Sequence, residues 1–472
     1  MKLKLASAGT VLAFVLFSFS AEAQLPSVID VVVKGHKLDA DDYGFLVQDV
    51  NTGETLLAVN ENLPLNPAST IKTLTTLVAL EELGPAYTWT TSVYALGPIQ
   101  DGRLDGDLLI QGGGDPYLLE EQFRNLLKAL RMRGIDAITG DLVIDATMFD
   151  DSVRAEPPID NDAGRAYNVL PSALSLNFQA ITYYFSPNAD GKTVDIRADP
   201  DLPHHRINNR LRLRQGSCTG YQRGIAFSYD SRPDTVNFDG QFPSGCGLFS
   251  MVRAVNDPMT YAHGLFTKLW KELGGEFDGG LRLERAPVDM EPLLRWDSPP
   301  LAEVIRYLNK YSNNLMARHL LLTLGAEYGT LPATVASGAQ VLTRYLERLE
   351  IDTTGLQVEN GSGLSRATRL TAAQLTGALR HGYHSRYMAE FISSLPIVGE
   401  DGTMRARLRD DTTRGYMHIK TGTLNEVSAV AGYVIGQSGR HYAVTGILNH
   451  RDADRGPGVE LMDSLLNWVR QQ

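Results

Sequence analysis

Three short polar motifs constrain this chain more than any other feature of its sequence. They are Ser69-Thr70-Ile71-Lys72, then Ser312-Asn313-Asn314, then Lys420-Thr421-Gly422. Each motif alone is weak in a chain of this length. Together they supply a hydroxyl with an amine beside it, a second hydroxyl with an amide, and a cation with a third hydroxyl, which are the parts of an acyl-transfer site. A fold that uses all three motifs must bring distant segments together.

Length and charge narrow the class of protein further. The 472 residues are enough for two or three domains with a large core. The formal net charge of -11 argues against general nucleic-acid binding, so nucleic acid is not an expected partner. The local basic stretch at residues 204–214 is therefore interpreted as a solvated loop or strand face.

The first 23 residues have the pattern of a signal peptide. Lys2 and Lys4 give a basic start, an apolar run follows at residues 11–19, and residues 21–23 read Ala-Glu-Ala, a small-x-small cleavage site. We therefore expect an exported protein whose mature chain begins near Gln24. An uncleaved membrane anchor is the alternative, but the apolar run is too short to span a bilayer. We expect no integral membrane span in the mature chain.

The two cysteines, Cys218 and Cys246, are the only ones in the chain. They lie in one region, without zinc spacing or a Cys-x-x-Cys pattern, and export permits disulfides. We predict one structural bridge between them, with two free thiols as the alternative. No metal site and no cofactor are expected.

The segment around the first motif has the pattern of a buried helix. Asn66 is a candidate N-cap, Pro67 suits the first helical position, and Gly84-Pro85 ends an apolar run with helical spacing. Ser69 and Lys72 then lie on one face of the first turn, since residues three apart are neighbours on a helix.

The remaining patterns predict a discontinuous α/β domain. Short alternating runs from residue 89 to 257 include a strand-helix-strand unit around a helix at Glu120 to Met132. Helical patterns return at Pro258, Ser298-Pro299-Pro300 caps a helix, and Tyr311-Ser312 breaks it. The chain ends in three antiparallel strands (Met417 to Thr423, Val427 to Ile435 and His441 to Leu448) and an amphipathic helix from Val459 to Val469. Residues 24–88 and 258–472 are thus predicted to form one domain, with residues 89–257 inserted.

The chemistry of each motif suggests a role. A serine hydroxyl needs a neighbour that removes its proton, and Lys72 is the available base for Ser69. To act, Lys72 must be neutral part of the time, which burial and a nearby cation such as Lys420 would favour. Ser312 can relay a proton toward the leaving amine, and Asn314 can hold both an acyl amide and Lys72.

The third motif suits a substrate carboxylate. Lys420 and Thr421 offer a cation and a hydroxyl, and Gly422 is interpreted as leaving room for substrate beside the strand. The backbone N–H groups of Ser69 and Thr423 would form the oxyanion hole.

With these motifs, the chain resembles a low-molecular-mass class C penicillin-binding protein of the D-alanyl-D-alanine carboxypeptidase/endopeptidase family. The resemblance spans the mature chain and includes the segments Pro67-Ala68-Ser69-Thr70, Gly106-Asp107-Leu108, Asp257-Pro258, Ser298-Pro299-Pro300-Leu301, Gly361-Ser362-Gly363-Leu364-Ser365-Arg366, Ser394-Leu395-Pro396 and Gly402-Thr403. It implies a penicillin-recognising, serine β-lactamase-like domain, in which helices flank an antiparallel sheet, with two smaller domains nested in the insertion. It also implies periplasmic trimming and cleavage of peptidoglycan stem peptides through an acyl-enzyme on Ser69, which β-lactam antibiotics also acylate.

Two positions depart from that family's pattern, and one contact is only a candidate. Asn360 stands where aspartate is frequent, and Arg318 stands where an acidic residue is common. The family can recognise the diaminopimelate side chain through its inserted region, for which residues 175–177, Ser-Leu-Asn, are a candidate here.

Two other functions use the same motifs. A β-lactamase would deacylate quickly but needs no large insertion. A non-catalytic module that binds peptidoglycan or β-lactams would keep the fold without turnover. The motifs do not select between carboxypeptidase and endopeptidase reactions, which share the acyl-enzyme, and they carry no signal for an oligomeric state.

Overall fold

The computed structural model describes residues 25–155, 157–162, 164–230 and 234–472. The expected signal peptide, residues 1–23, lies outside the described residues. The α-helices are α1 (Ser27–His36), α2 (Ile71–Leu83), α3 (Glu120–Met132), α4 (Pro258–Glu272), α5 (Leu301–Tyr311), α6 (Asn314–Tyr328), α7 (Val335–Arg348), α8 (Ala372–His384), α9 (Met388–Ser394) and α10 (Pro457–Arg470).

The strands alternate with these helices along the chain. They are β1 (Tyr43–Asp49), β2 (Thr55–Val59), β3 (Thr90–Leu96), β4 (Ile99–Gln100), β5 (Arg103–Leu104), β6 (Asp107–Gln111), β7 (Ala137–Ile138), β8 (Leu142–Asp145), β9 (Ile181–Pro187), β10 (Val194–Asp199), β11 (Arg206–Arg214), β12 (Ile225–Asp230), β13 (Thr235–Pro243), β14 (Phe249–Arg253), β15 (Glu276–Phe277), β16 (Leu281–Leu283), β17 (Leu294–Asp297), β18 (Met417–Leu424), β19 (Val427–Ile435) and β20 (His441–Asn449). The mixed α/β class and the three final strands are as the sequence predicts.

A five-stranded antiparallel sheet forms the centre of the domain that carries the motifs. Its strand order is β18-β19-β20-β1-β2, so the two N-terminal strands complete the C-terminal meander. Side chains along β19 alternate between two cores, with Ala431 and Tyr433 on one face and Val430 and Val434 on the other. This alternation follows from the two-residue period of a strand and means that both faces of the sheet are covered.

Helices cover the two faces of this sheet. The amphipathic helices α1 and α10 pack against each other and against the face that carries Val430 and Val434. Helices α2, α5, α6, α7, α8 and α9 contribute to the core on the other face. The expected antiparallel sheet flanked by helices is therefore confirmed.

The segment that carries Ser69 begins with a tight turn. Asn66 Oδ1 accepts a hydrogen bond from Ala68 N at 2.9 Å, and residues Ala68–Thr70 form a 3₁₀ turn. The regular helix begins only at Ile71 and ends at Gly84, whose φ of 82° is in the left-handed region. The predicted helix is present, and Ser69 lies in the turn that leads into it.

Two segments that lie far apart in the sequence cross at Trp89 and Ser298. Trp89 N donates to Ser298 Oγ at 3.0 Å, and Ser298 N donates to Trp89 O at 2.9 Å. Helix α5 therefore starts after Pro300 without a side-chain cap, because the Ser298 hydroxyl is used at this crossing. The capping role predicted for residues 298–300 is wrong for that reason.

The first group of strands beyond this crossing forms a mixed sheet of order β16-β8-β6-β3-β17 and a small sheet of order β15-β7-β5-β4. Parallel pairing of β6 with β8 around α3 confirms the predicted strand-helix-strand unit. Strands β15 to β17 lie after residue 258, where the sequence predicts the return, yet they pair with β7, β8 and β3. A helical pattern such as that of α4 does not tell which core the helix joins, and α4 packs into the core of the inserted region.

The second group consists of two three-stranded sheets, β10-β9-β14 and β11-β13-β12. Aromatic side chains join them: Phe238 packs edge-on against Tyr183 and Phe185, with ring centroids 5.0 and 5.1 Å apart. The Cys218–Cys246 disulfide lies in this group, which confirms the predicted bridge. The basic stretch forms most of the largely exposed strand β11, as expected for a solvated strand face.

No helix among the described residues is long and apolar enough to cross a bilayer. Within the same ranges, no cluster of three or more His, Cys, Asp and Glu side chains is placed to hold a metal ion.

Candidate active site

The structure brings the three motifs together at one cleft. Ser69 precedes α2, Ser312 lies between α5 and α6, and Lys420 lies on β18. Lys72 Nζ is 2.8 Å from Ser69 Oγ, and Lys420 Nζ is 2.8 Å from Ser312 Oγ. Ser69 is therefore paired with the lysine of its own motif, and Ser312 with the lysine of the third motif.

Lys72 is fully buried and surrounded by oxygen atoms. Its Nζ also donates to Asn314 Oδ1 at 2.7 Å and to the backbone carbonyl of Ser362 at 2.5 Å. Burial, followed by the charges of Lys420 and Arg318, holds the pKa of Lys72 well below its usual value. A neutral amine has two N–H donors and one lone pair. Because Asn314 and Ser362 accept the two donors, the lone pair is left to face Ser69 Oγ.

Ser312 lies in the break between two helices. Its φ of 58° and ψ of 39° are left-handed and end α5, while Asn313 Oδ1 accepts from Met316 N at 3.0 Å and caps α6. This sharp change of direction brings Ser312 to Lys420 and Asn314 to Lys72. The predicted break is therefore what places the second motif in the cleft.

Lys420 is also fully buried, but its surroundings differ. Besides Ser312 Oγ, its Nζ donates to the Thr421 carbonyl at 2.6 Å. Burial lowers the pKa of Lys420 to about 7. The hydroxyl of Thr421 donates to Thr403 Oγ1 at 2.8 Å, which ties β18 to the 3₁₀ turn Gly402–Met404.

Two glycines allow backbone to approach the Ser69 turn closely. A Cβ at Gly422 would lie 2.6 Å from Pro67 O and 3.0 Å from Ser69 N. A Cβ at Gly363, where φ is 75°, would lie 1.9 Å from Ala68 O. From the sequence, Gly422 is predicted to leave room for substrate beside the strand. In the structure its missing side chain makes room for the nucleophile's own turn.

The cleft in front of Ser69 has a volume of about 420 Å³. It is lined by Ser69, Ile159, Asp160, Tyr167, Ser312, Asn314, Leu364, Thr423, Leu424, Asn425 and Asp454. The two lysines lie behind this lining, and Thr421 and Gly422 lie beside it on β18. The cysteines belong to the second group of inserted strands, not to the cleft.

Residues that the sequence did not indicate close one edge of the cleft. Arg366 Nη2 donates to Asp160 Oδ1 at 2.9 Å, and its Nη1 donates to the Asn425 carbonyl at 2.8 Å. A loop of the inserted region is thereby tied to the turn after β18. The Gly361–Arg366 segment was visible as part of the family resemblance, whereas a lone aspartate such as Asp160 carries no sequence signal.

The candidate contact at residues 175–177 does not lie in the cleft. Ser175 and Leu176 are buried, and Asn177 Nδ2 donates to the Tyr261 hydroxyl at 3.1 Å. That candidate is wrong, because these polar groups are used inside the core of the inserted region.

Both departures from the family pattern lie close to Lys72. Asn360 Oδ1 accepts from Ser362 N at 3.1 Å and from Ser362 Oγ at 2.8 Å, so it shapes the loop whose carbonyl binds Lys72. Arg318 is buried on α6 and donates from Nη1 to the Val169 carbonyl at 3.1 Å.

Comparison with known proteins places this geometry in a family. The model of the D-Ala-D-Ala carboxypeptidase 3 (S13) family matches residues 25–471. The chain belongs to the S13 family. It is thus a serine D-Ala-D-Ala carboxypeptidase, as the motif order predicts.

Individual relatives of this S13 enzyme agree over most of its length. It is 29% identical to the D-alanyl-D-alanine carboxypeptidase of Actinomadura sp. (strain R39) over 88% of this chain and 79% of the relative. It is 26% identical to D-alanyl-D-alanine carboxypeptidase DacB of Haemophilus influenzae, covering 94% and 93%. The crystal structure of penicillin binding protein 4 (dacB) from Haemophilus influenzae superposes with a TM-score of 0.80 at 24% identity, covering 95% of this chain and all of the other.

Proposed function

We propose that this S13 enzyme hydrolyses D-alanyl peptides of peptidoglycan through an acyl-enzyme on Ser69, with Lys72 as the proton acceptor. The observation that carries the proposal is the donor geometry at Lys72. Two acceptors, Asn314 Oδ1 and Ser362 O, take its N–H groups and leave the amine lone pair toward Ser69 Oγ. A base must lie within hydrogen-bond reach of the proton that it takes, and this one does.

The acylation step follows from these positions. As Lys72 Nζ takes the hydroxyl proton, Ser69 Oγ forms a bond to the carbonyl carbon of the penultimate D-alanine. Backbone N–H groups of Ser69 and Thr423 stabilise the oxyanion. The peptide C–N bond then breaks, and the proton reaches the leaving nitrogen through the Ser312 hydroxyl. Water subsequently hydrolyses the ester and restores Ser69.

Lys420 and Thr421 are assigned to the substrate's terminal carboxylate. The ammonium group of Lys420 is hydrogen-bonded to Ser312, so a carboxylate bound there lies beside the proton relay. A nearby anion favours the charged form of a lysine, so substrate binding itself would raise the pKa of Lys420. Asn314 borders the cleft and is assigned to the acyl amide of the substrate.

The leaving amine decides between the two reactions. Free D-alanine leaves in the carboxypeptidase reaction, and a D-centre on a neighbouring stem peptide leaves in the endopeptidase reaction. The charged pair Asp160 and Arg366, at the edge of the cleft, is assigned to a charged side chain of the stem peptide. We expect both reactions from the same acyl-enzyme.

The location and the domain boundaries belong to the same proposal. Residues 1–23 are assigned as a signal peptide that directs the enzyme to the periplasm, where its substrate lies. The paired backbone of Trp89 and Ser298 favours an insertion that runs from residue 90 to 297, rather than ending at 257. Its two groups of strands are assigned as the two nested domains.

The test is covalent labelling by a penicillin, followed by intact-mass measurement. We expect one adduct in the wild-type enzyme and none in Ser69→Ala. Ser438→Ala, in the turn between β19 and β20, is the matched control and should label normally. An adduct that persists in Ser69→Ala would refute the nucleophile assignment.

Two further measurements separate the alternative functions. Loss of the adduct within a second, with turnover of the penicillin, would favour a β-lactamase. Incubation with cross-linked muropeptides should release D-alanine and separate the linked stems; a stable adduct without either product would favour a binding module.

A further inference from the structure

Helix α6 holds one segment of the inserted region with two side chains. Asn314 Nδ2 donates to the Tyr167 carbonyl at 3.1 Å, and Arg318 Nη1 donates to the Val169 carbonyl at 3.1 Å. Residues four apart are neighbours on a helix face, so these two side chains lie one above the other. Their two acceptors belong to one short stretch, residues 167–169, which crosses over α6.

This contact fixes which way the Asn314 amide faces. Because its NH₂ group donates to the Tyr167 carbonyl, its Oδ1 faces Lys72 and accepts from Nζ at 2.7 Å. If residues 167–169 moved away, the amide would be free to rotate and present donors to Lys72 instead. The lone pair of Lys72 would then no longer be directed at Ser69 alone.

Arg318 makes the charged one of the two contacts with residues 167–169. Its side chain is buried, its guanidinium is planar and permanently charged, and it reaches the far end of the segment at Val169. Val169 also packs against Leu315 of α6. Asn168, between the two acceptors, donates to the carbonyl of Ile159, next to Asp160 of the cleft. The segment held by Arg318 thus continues into the loop that closes the cleft.

The charge of Arg318 acts on the same lysine. Among the residues that the structure describes, Lys420 on β18 and Arg318 on α6 both lower the pKa of Lys72 in addition to the effect of burial. A cation at this place disfavours protonated Lys72 and favours the neutral amine.

We propose that Arg318 is a positioning residue for acylation: it fixes residues 167–169, and through them the Asn314 amide, so that Lys72 stays directed at Ser69 as a neutral amine. This inference rests on the proposed function, in which Lys72 takes the proton from Ser69. Arg318 touches no reacting atom. It acts through the inserted region, which is thereby part of the catalytic apparatus of the peptidase domain.

The experiment compares Arg318→Gln and Arg318→Lys with the wild-type enzyme. Gln is neutral but keeps a donor for the Val169 carbonyl, whereas Lys keeps the charge but loses the planar fork. Arg131→Met is the matched control, since Arg131 also donates to a backbone carbonyl, that of Ile135, on α3 of the inserted region. The rate constant of penicillin acylation is measured from pH 5 to pH 9, together with the melting temperature of each variant.

The neutral variant should change the pH profile. Acylation needs neutral Lys72, so the rate rises with pH through the pKa of Lys72. Loss of the Arg318 charge raises that pKa, and we expect the acid limb of Arg318→Gln to move to higher pH by about 0.5–1 unit, or about 3–10-fold in rate on the limb. Arg318→Lys should keep the limb in place and lose rate about equally at every pH, and Arg131→Met should match the wild type.

Each outcome decides the inference. If the limb of Arg318→Gln coincides with that of the wild type, or if the limb of Arg318→Lys moves as far, Arg318 has only a structural role. Should Arg318→Gln fail to fold, the limb of Arg318→Lys still decides, because a shift in it contradicts the proposal. Failure of the proposed function is distinct: the wild-type enzyme itself would then show no adduct at Ser69.

Discussion

The two lysines of the cleft have the same burial but opposite surroundings. Both are 0% exposed, yet Lys72 has two acceptors from other segments, Asn314 Oδ1 and the Ser362 carbonyl, beside its contact with Ser69 Oγ, whereas Lys420 has the Ser312 hydroxyl and the carbonyl of its own neighbour. Cations lower the pKa of Lys72 beyond the effect of burial, while burial alone lowers that of Lys420. In the proposed function, the surroundings of Lys72 favour its neutral amine. Those of Lys420 allow a bound anion to favour its protonated form.

This difference follows from the elements that carry the two residues. Lys72 projects from a buried helix into a space closed by α6 and the Gly361–Arg366 loop, and each of these two elements supplies one acceptor for its amine. Lys420 lies on β18, the edge strand of the sheet, and its partner Ser312 lines the cleft. In the proposed function a substrate carboxylate binds beside Lys420, whereas the Lys72 amine is enclosed by its two acceptors.

The largest effect is expected from Lys72→Arg. A guanidinium stays charged at any useful pH and cannot accept the proton of Ser69, so penicillin acylation should fall by about 10³-fold or more. Lys268→Arg, on α4 of the inserted region, is the matched control and should acylate at the normal rate. Stopped-flow acylation kinetics measure both. A near-normal acylation rate in Lys72→Arg would contradict the assignment of Lys72 as the residue that accepts the proton of Ser69.

A smaller effect is expected from Lys420→Arg. Its task is to carry positive charge, which arginine retains, so acylation should fall by only about 10–100-fold through altered geometry. If the two arginine variants prove equally harmful, the lysines do not differ in function.

The pH dependence of Lys420→Arg is a second test of whether Lys420 acts by carrying positive charge. With a pKa of about 7, Lys420 of the free enzyme is charged below that pH and loses its charge above it. For a substrate with a terminal carboxylate, kcat/KM of the wild-type enzyme should therefore fall above about pH 7, since this parameter reports the free enzyme. Lys420→Arg stays charged and should lack this basic limb. A basic limb that survives the substitution would belong to another group.

Gly422→Ala tests how closely the two sides of the cleft depend on each other. The new Cβ would lie 2.6 Å from Pro67 O and 3.0 Å from Ser69 N, so β18 and the Ser69 turn must separate by several tenths of an ångström. We expect acylation to fall by about 10-fold, since small misplacements of reacting groups are costly. Gly35→Ala, where nothing lies within 4 Å of the added Cβ, is the control. Normal acylation by Gly422→Ala would mean that the turn tolerates the shift.

The sequence predicts the local elements that carry the motifs better than the long-range contacts that surround Lys72. The helix behind Ser69, the break at Ser312 and the three final strands all follow local patterns, and the structure has them. The second acceptor of Lys72 is a backbone carbonyl, at Ser362, and a carbonyl has no residue type to recognise. Likewise, the pairing of β1 with β20 and of Arg366 with Asp160 joins segments about 400 and 200 residues apart, which no local pattern encodes.

The proposed boundary of the inserted region, after residue 297, differs from the predicted one, after residue 257, for a related reason. The helical pattern from Pro258 suggested a return to the peptidase domain, since that domain is rich in helices. Which core a helix joins depends on long-range packing, and α4 buries its apolar face against inserted strands. The two hydrogen bonds between Trp89 and Ser298 are visible only in the folded chain.

The smallest effect on acylation is expected from removing the disulfide, which lies on neither side of the cleft. Cys218 and Cys246 are 28 positions apart in the sequence, and the segment that their bond closes contains β12 and β13 of the second inserted group. In the chain-entropy model such a loop contributes about 3 kcal/mol, so the Cys218→Ser, Cys246→Ser double variant should melt at a lower temperature. Its rate of penicillin acylation should stay within about twofold of the wild type, because distant changes act independently. If the folded double variant loses acylation, the second inserted group is coupled to the cleft. In that case the coupling between the inserted region and the cleft, which we propose to act through residues 167–169 and Arg318, would also include the strands around the disulfide.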